Sequence, residues 1–206
     1  VAAQLARAGA GELIPLGSPV DGRTEERLAE VVGFFVNTLV FTADLAGDPR
    51  LGDLVERLRA DNLTAMEHAQ VPFEQVVEHL NPPRESGLNP LFQVLVSYGT
   101  APDIGLAFEG LRAEPRFVDT RTTKFDLVFH VFDAGGRTPL DLSLTYASAL
   151  FDEATARDLL DGVAAVLAQS VSHPETRLSH LAVPDRPDGP GRAEALLTPA
   201  QRWWLD

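Results

Sequence analysis

Five histidines, His68, His79, His130, His173 and His180, are the residues best suited to move a proton at neutral pH, and none adjoins another. His68 and Glu74 fall within two helical turns, so a continuous helix would let them act as an acid–base pair. Pro72 stands between them and instead predicts two helices, with His68 a satisfied structural donor at a helix end. His130 alternates with Phe129 and Val131, a strand pattern that points it away from the face of Phe129, toward packing or a channel.

Other chemistries find less support. The chain has no cysteine, which excludes disulfides and thiolate metal sites and suits a cytoplasmic protein. No His-x-x-x-His with a third ligand is present, so metal catalysis is not expected. Ser18, Ser97 and Ser143 lie in no Gly-x-Ser-x-Gly elbow, and there is no glycine-rich phosphate loop. Basic residues are scattered, with Lys124 the single lysine. The chain is therefore expected to shape a site and not to supply its base.

The elements that would position such a site centre on residues 68–98. Val71-Pro72 is a helix entry, since proline is pre-organised for the first turn and leaves no amide unpaired there. Phe73, Val76, Val77 and Leu80 follow at helical spacing, with Glu74 in the first turn, and Asn81-Pro82-Pro83 ends the helix. Pro90 then precedes Leu91, Phe92, Val94, Leu95 and Val96, apolar on both faces and so expected as a covered, central strand.

These residues carry a resemblance. His68-Ala69-Gln70-Val71-Pro72-Phe73-Glu74 resembles the His-Gln-Asp-x-Pro-Phe-Glu motif of nonribosomal peptide synthetase condensation domains. Asn89-Pro90-Leu91-Phe92-Gln93-Val94 resembles the Arg-Asn-Pro-Leu-Phe-Gln motif that follows, with Arg84 at its leading arginine. Gly33-Phe34-Phe35-Val36-Asn37-Thr38 resembles the preceding Gly-x-Phe-Val-Asn-Thr motif, and Lys124-Phe125-Asp126-Leu127 is similar to a downstream strand. Two departures stand out: Gly87-Leu88 replaces Ser-Arg before Asn89, and Ala69-Gln70 replaces Gln-Asp after His68.

The resemblance covers residues 5–184 and implies the C-terminal lobe alone, an α/β, chloramphenicol acetyltransferase-like lobe with a mixed β-sheet covered by helices. It implies that Gly33, Phe35, Asn37, Thr38, His68, Pro72, Phe73, Glu74, Arg84, Asn89, Pro90 and Phe92 are structural or tunnel-lining. The family's paired histidines, followed after three residues by Asp-Gly, belong to the N-terminal lobe. No such pair occurs here, so no catalytic residue is assigned. The implied partners are that N-terminal lobe, donor and acceptor peptidyl carrier proteins, and a neighbouring adenylation or condensation-family domain. No cofactor is expected to bind directly, the substrates riding on carrier phosphopantetheine. A noncatalytic half-domain serving as an interaction platform, or the lobe of an epimerisation-type relative, stays open beside a working half-domain.

Along the rest of the chain, residues 2–8 read as a helix stopped by Gly9. Residues 13–20 read as a strand that Pro15 and Pro19 make an edge or an irregular one. Asp21-Gly22 is a turn, Arg23 follows it, and Thr24 would cap a helix over 25–32. The apolar run 34–41, broken only by Asn37 and Thr38, implies that both are buried; Asn37 is then a hydrogen-bonded structural residue or faces a channel. A helix over 54–68 carries the stripe Leu54, Val55, Leu58, Asn62, Leu63 and Met66. A loop covers 100–105, a short segment 106–108 is followed by a break at Gly110, residues 117–123 connect onward, and strands 125–132 and 140–146 form a hairpin around Asp133-Ala134-Gly135-Gly136. Asp152 caps a last long helix that ends near His173-Pro174.

The implied domains are 1–184, the lobe, and 185–206, a linker followed by the start of another domain or by a capping helix carrying Trp203 and Trp204. A chain of 206 residues, 45% hydrophobic and 23% charged, can bury one sizeable core. Its net charge of -13 argues against nonspecific binding to nucleic acid or anionic membrane. No apolar run is long enough for a membrane span, and the N-terminus, which lacks methionine and signal-peptide regions, reads as a fragment boundary.

Overall fold

The computed structural model describes residues 1–84, 86–100, 110–111, 120–135 and 139–182. Its elements run α1 (Ala2–Arg7), β1 (Leu13–Asp21), β2 (Val36–Asp44), α2 (Leu51–Glu67), α3 (Phe73–Leu80), β3 (Val94–Thr100), β4 (Leu127–Asp133), β5 (Asp141–Tyr146) and α4 (Glu153–Ser172). The expected segments 106–108, the linker 185–191 and the tail 196–206 lie outside the described residues.

The five strands form one sheet in the order β2-β1-β3-β4-β5. β1 pairs antiparallel with β2 and parallel with β3; β4 pairs parallel with β3 and antiparallel with β5, so the sheet is mixed. Ile14, Ala43, Val94, Leu127 and Phe129 line the face against which Leu5 of α1, Leu54 of α2 and Leu159, Val163 and Val166 of α4 pack. Each fully buried Leu or Phe contributes on the order of 1.5–3 kcal/mol. Helices α1 and α4 meet at Gly162, where a Cβ would run into the side chain of buried Gln4.

Local signals behave as their chemistry requires. Asp152 caps α4, accepting the Thr155 amide at 2.8 Å, and Gly9 takes φ 97° directly after the first helix and its cap. Asn81 ends α3 in the left-handed region at φ 44°. β4 and β5 pair antiparallel, as expected, and at the end of β4 the Asp133 Oδ1 accepts the Gly135 amide at 2.7 Å.

Four expectations need correction. β1 is internal, not an edge; its two prolines are tolerated because its ladder with β3 spans only Leu16↔Val94 and Gly17↔Leu95. The helix over 25–32 is reduced to one 3-10 turn, Glu26–Leu28, without a side-chain cap. On α2, Leu51 and Leu54 are buried while Val55, Leu63 and Met66 stand more than half exposed, because only the first turns of that helix reach the core. β3 is central but begins at Val94, and it is not covered throughout: Leu91 and Phe92 are buried ahead of it, whereas Tyr98 is exposed. No described helix is long and apolar enough to cross a membrane.

Candidate functional site: the Asn37 clamp and its two clefts

Asn37 lies near the start of β2, half-buried, opposite Val20 of β1. Its Nδ2 donates to the carbonyls of Ala69 and Val71, both at 2.8 Å, and its Oδ1 accepts the Phe73 amide at 3.1 Å. The first amides of a helix have no partner inside it. Pro72 stands at the cap of α3 with no side-chain cap bond, so a residue 36 positions earlier satisfies the Phe73 amide instead. Both ends of the Asn37 carboxamide are thus engaged by backbone groups, and it fixes the 69–73 turn against the sheet. Asn37 and Thr38 are half-buried where full burial was expected.

The turn so fixed presents Phe73 edge-on to Phe92 at 5.8 Å, and Phe92 stacks on Phe125 at 5.2 Å. Aromatic pairs in such geometry add about 0.5–1.5 kcal/mol each beyond burial. Phe92 is 1% exposed and occupies the space a side chain at Gly17 would need; a Cβ there would run into its ring. One interaction thus sets both the glycine in β1 and the aromatic before β3.

Asn89 organises the turn that delivers Phe92. Its Oδ1 accepts the amides of Leu91 at 3.1 Å and Phe92 at 3.4 Å. The buried Gln93 closes the loop: its Nε2 donates to the Asn89 carbonyl at 2.6 Å and its Oε1 accepts the Asn89 amide at 3.3 Å. The Gln93 carbonyl in turn receives the Asp126 amide at 3.0 Å. Burial pushes the Asp126 carboxyl above its ordinary value.

Two clefts flank α3 and share Phe73. One, of about 410 Å³, is lined by Phe73, Glu74, Arg84, Asn89 and Pro90 among others. The second, of about 290 Å³, lies between β2, α2 and α3 and includes Thr38, His68, Val71 and Phe73. Of the expected motif residues, Thr38, His68, Phe73, Glu74, Arg84, Asn89 and Pro90 line these clefts; Asn37 and Pro72 line neither and belong to the clamp and the turn it holds, Phe92 lies buried, and Gly33 and Phe35 belong to the loop before β2.

His68 and Glu74 are not brought together. His68 terminates α2 and lines the second cleft, while Glu74 lies in the first turn of α3 and lines the first. His130, on β4, is flanked in register by Ser97 and Ser143 and stacks on Phe132 with ring centroids 6.1 Å apart. Among the described residues, no cluster of three or more His, Cys, Asp or Glu is arranged to hold a metal.

The partners of Arg23 and Gln93 were not legible in the sequence. Arg23 donates to the carbonyls of Leu28 at 2.6 Å, Val31 at 2.9 Å and Gly33 at 3.4 Å, and lies 4.2 Å over the Phe35 ring. Its place directly after the Asp21-Gly22 turn was visible, but its partners were not. Gln93 was readable only as part of the motif.

A model of the family described as Condensation domain matches residues 1–188. The chain belongs to the condensation-domain family. Among its relatives, the probable nonribosomal peptide synthetase CymA of Salinispora arenicola is 39% identical over 181 residues, 86% of this chain and 2% of that protein. The dimodular nonribosomal peptide synthase of Bacillus subtilis is 36% identical over 185 residues, 88% of this chain and 8% of that protein. The chain thus spans a small fraction of the curated relatives it matches. Among solved structures, the X-domain from teicoplanin biosynthesis matches with a TM-score of 0.75 and 25% identity, over 89% of this chain and 44% of that one. The fold also matches a four-domain nonribosomal peptide synthetase bound to AMP and glycine, with a TM-score of 0.72 and 21% identity, over 87% of this chain and 15% of that one. The mixed sheet covered by helices is the chloramphenicol acetyltransferase-like architecture of condensation domains.

Proposed function

We propose that this chain is the C-terminal lobe of a condensation domain, over residues 1–184, and that residues 185–206 are a linker with either the start of a following domain or a capping helix. It takes part in forming a peptide bond between aminoacyl or peptidyl thioesters carried on phosphopantetheine. The chain supplies a wall of the reaction tunnel and a docking surface for carrier proteins, while the complementary lobe supplies the base. The observation that carries this reading is the coverage of the X-domain match: 89% of this chain is matched, yet only 44% of the solved chain is used. The absence of any adjacent histidines from the sequence agrees with it.

In this reading the Asn37 clamp and the Phe73–Phe92–Phe125 stack hold the wall beside the two clefts. Holding reactants in attack geometry can contribute roughly 7–11 kcal/mol to a bimolecular step, and a loosened wall forfeits part of that. Glu74, Arg84 and Asn89 are the polar groups of the first cleft able to orient a bound substrate arm. Substrates would come from donor and acceptor carrier proteins, and the setting is cytoplasmic.

A second reading is an interaction platform without catalysis. It is favoured by the match to the X-domain solved in complex with OxyB from teicoplanin biosynthesis, at 25% identity and a TM-score of 0.74. The coding sequence upstream of Val1 separates the two. An in-frame lobe with adjacent histidines followed by Asp-Gly supports catalysis; a lobe without them supports the platform.

A further inference from the structure

The outer side of β2 carries backbone groups that the rest of the fold does not use. At the two ends of its ladder with β1, the Leu45 amide donates to the Glu12 carbonyl at 2.7 Å and the Gly22 amide to the Phe35 carbonyl at 3.0 Å. Bonded and non-bonded pairs alternate along an antiparallel ladder. The register Leu13↔Asp44 to Asp21↔Val36 therefore bonds the odd-numbered residues of β2 to β1 and turns the amides and carbonyls of Thr38, Val40 and Thr42 outward. Among the described residues, no strand lies on that side and these groups have no partner.

A free strand edge invites pairing with another chain, and folds blunt it with proline, lysine, a bulge or a cover. Residues 36–43 of β2 hold no proline and no charge, and their register runs without a bulge. The edge opens instead into a groove. Thr38, Val40 and Thr42 line the cleft of about 290 Å³ together with Val71, Phe73 and Val76. Val40 and Thr42 also line a further cleft of about 300 Å³, against Asp61, Thr64 and His68. With α2 and α3 both standing over it, the groove admits one extended backbone and not the edge of a folded sheet. Asp61 carries the one fixed charge among the residues lining these two clefts; Arg57, one turn earlier, is turned to the Asp44 carbonyl at 3.1 Å, and Arg59 to Glu56 at 4.0 Å.

We propose that the outer edge of β2 binds, by strand addition, an extended linker segment of the synthetase polypeptide from outside the condensation domain. Its apolar side chains alternate toward Val71, Phe73 and Val76, and a lysine or arginine reaches Asp61. The unpaired amides and carbonyls call for a peptide backbone, the flanking helices exclude a second copy's sheet, and Asp61 calls for a basic residue. This chain is only 2% of one curated relative and 8% of another, and in polypeptides of that length a linker is tethered near the edge at high effective concentration. The inference goes beyond the half-domain reading and holds for a catalytic domain and for a platform alike.

The test uses the intact synthetase that contains this chain, with the photo-crosslinking residue p-benzoylphenylalanine placed at position 42 and, separately, at 64. Crosslinked peptides are then mapped by mass spectrometry. Both probes are expected to capture the same short segment lying between two folded domains. Val40→Pro removes one outward amide and leaves the ladder with β1 whole, since proline is accepted on the free side of an edge strand. It should lower the yield from both probes about fivefold, as expected for one lost hydrogen bond. Asp61→Lys, on the exposed surface of α2, is the second variant in case proline disturbs the strand. It should also lower the yield, and glutamate in place of the captured segment's basic residue should restore it. Crosslinks to the surface of a folded domain, to a second copy or to this chain's own residues would overturn the proposal. So would the absence of crosslinks, or an unchanged yield in either variant that keeps its fold.

Discussion

The Oδ1 of Asn37 accepts the Phe73 amide at 3.1 Å, joining the start of an edge strand to the start of a helix 36 residues away. With its Nδ2 on Ala69 and Val71, one carboxamide satisfies two carbonyls of the turn and the first amide of α3. Asn37→Ala leaves all three without that partner, and partial access of water limits the loss. Unfolding in urea should show a destabilisation of about 1–3 kcal/mol, and limited proteolysis should cut first within 68–73. An unchanged cleavage pattern would mean that the turn is held by something else.

Gly17 faces the ring of Phe92 with no room for a methyl group. Gly17→Ala should cost on the order of 1–3 kcal/mol through overpacking, with part of the loss recovered in the double variant with Phe92→Leu. Thermal melts of the four proteins form the cycle, and simple additivity would show that the two residues do not share that space.

His68 and Glu74 line different clefts. His68→Ala in the complete domain should therefore leave the rate of amide formation within about threefold, far less than the 10²–10⁴ expected on removal of a general base. A pH–rate profile that keeps its shape in the variant is the accompanying sign.

Desolvation raises the Asp126 carboxyl above its ordinary 3.8. The native state then binds more protons than the unfolded chain between the unfolded and the native value. Stability is highest below 3.8 on this account and falls as pH rises through the native value. Asp126→Asn should raise the urea midpoint at pH 7 and lose that advantage near pH 3. A gain equal at both pH values would assign it to packing instead.

The features legible in the sequence were those fixed within a few residues. Pro72 and Asn81 bracket α3 through their backbone conformation, Asp152 caps α4 with its carboxylate, and Gly135 takes a positive φ just after β4. The motif spacing also pointed to the residues that gather around Phe73. What was hidden was set by distant contacts. The stretch 25–32 patterns as a helix, but Arg23 occupies the carbonyls of Leu28 and Val31, one on the turn and one just past it, and draws the segment into a loop. Pro15 and Pro19 suggested an edge or an irregular strand, and they could not say which, because strand order is decided by partners far along the chain. The stripe of α2 named a helix face correctly without saying how little of it the core would cover.

The most direct test is an amide-formation assay with loaded donor and acceptor carrier proteins, run on this chain alone and on the same chain joined to its complementary lobe. Product should appear only with the joined lobes, and disappear when the second of the complementary lobe's adjacent histidines is replaced by alanine. Product from this chain alone would contradict the assignment of wall without base, and no product from the joined lobes would favour the platform.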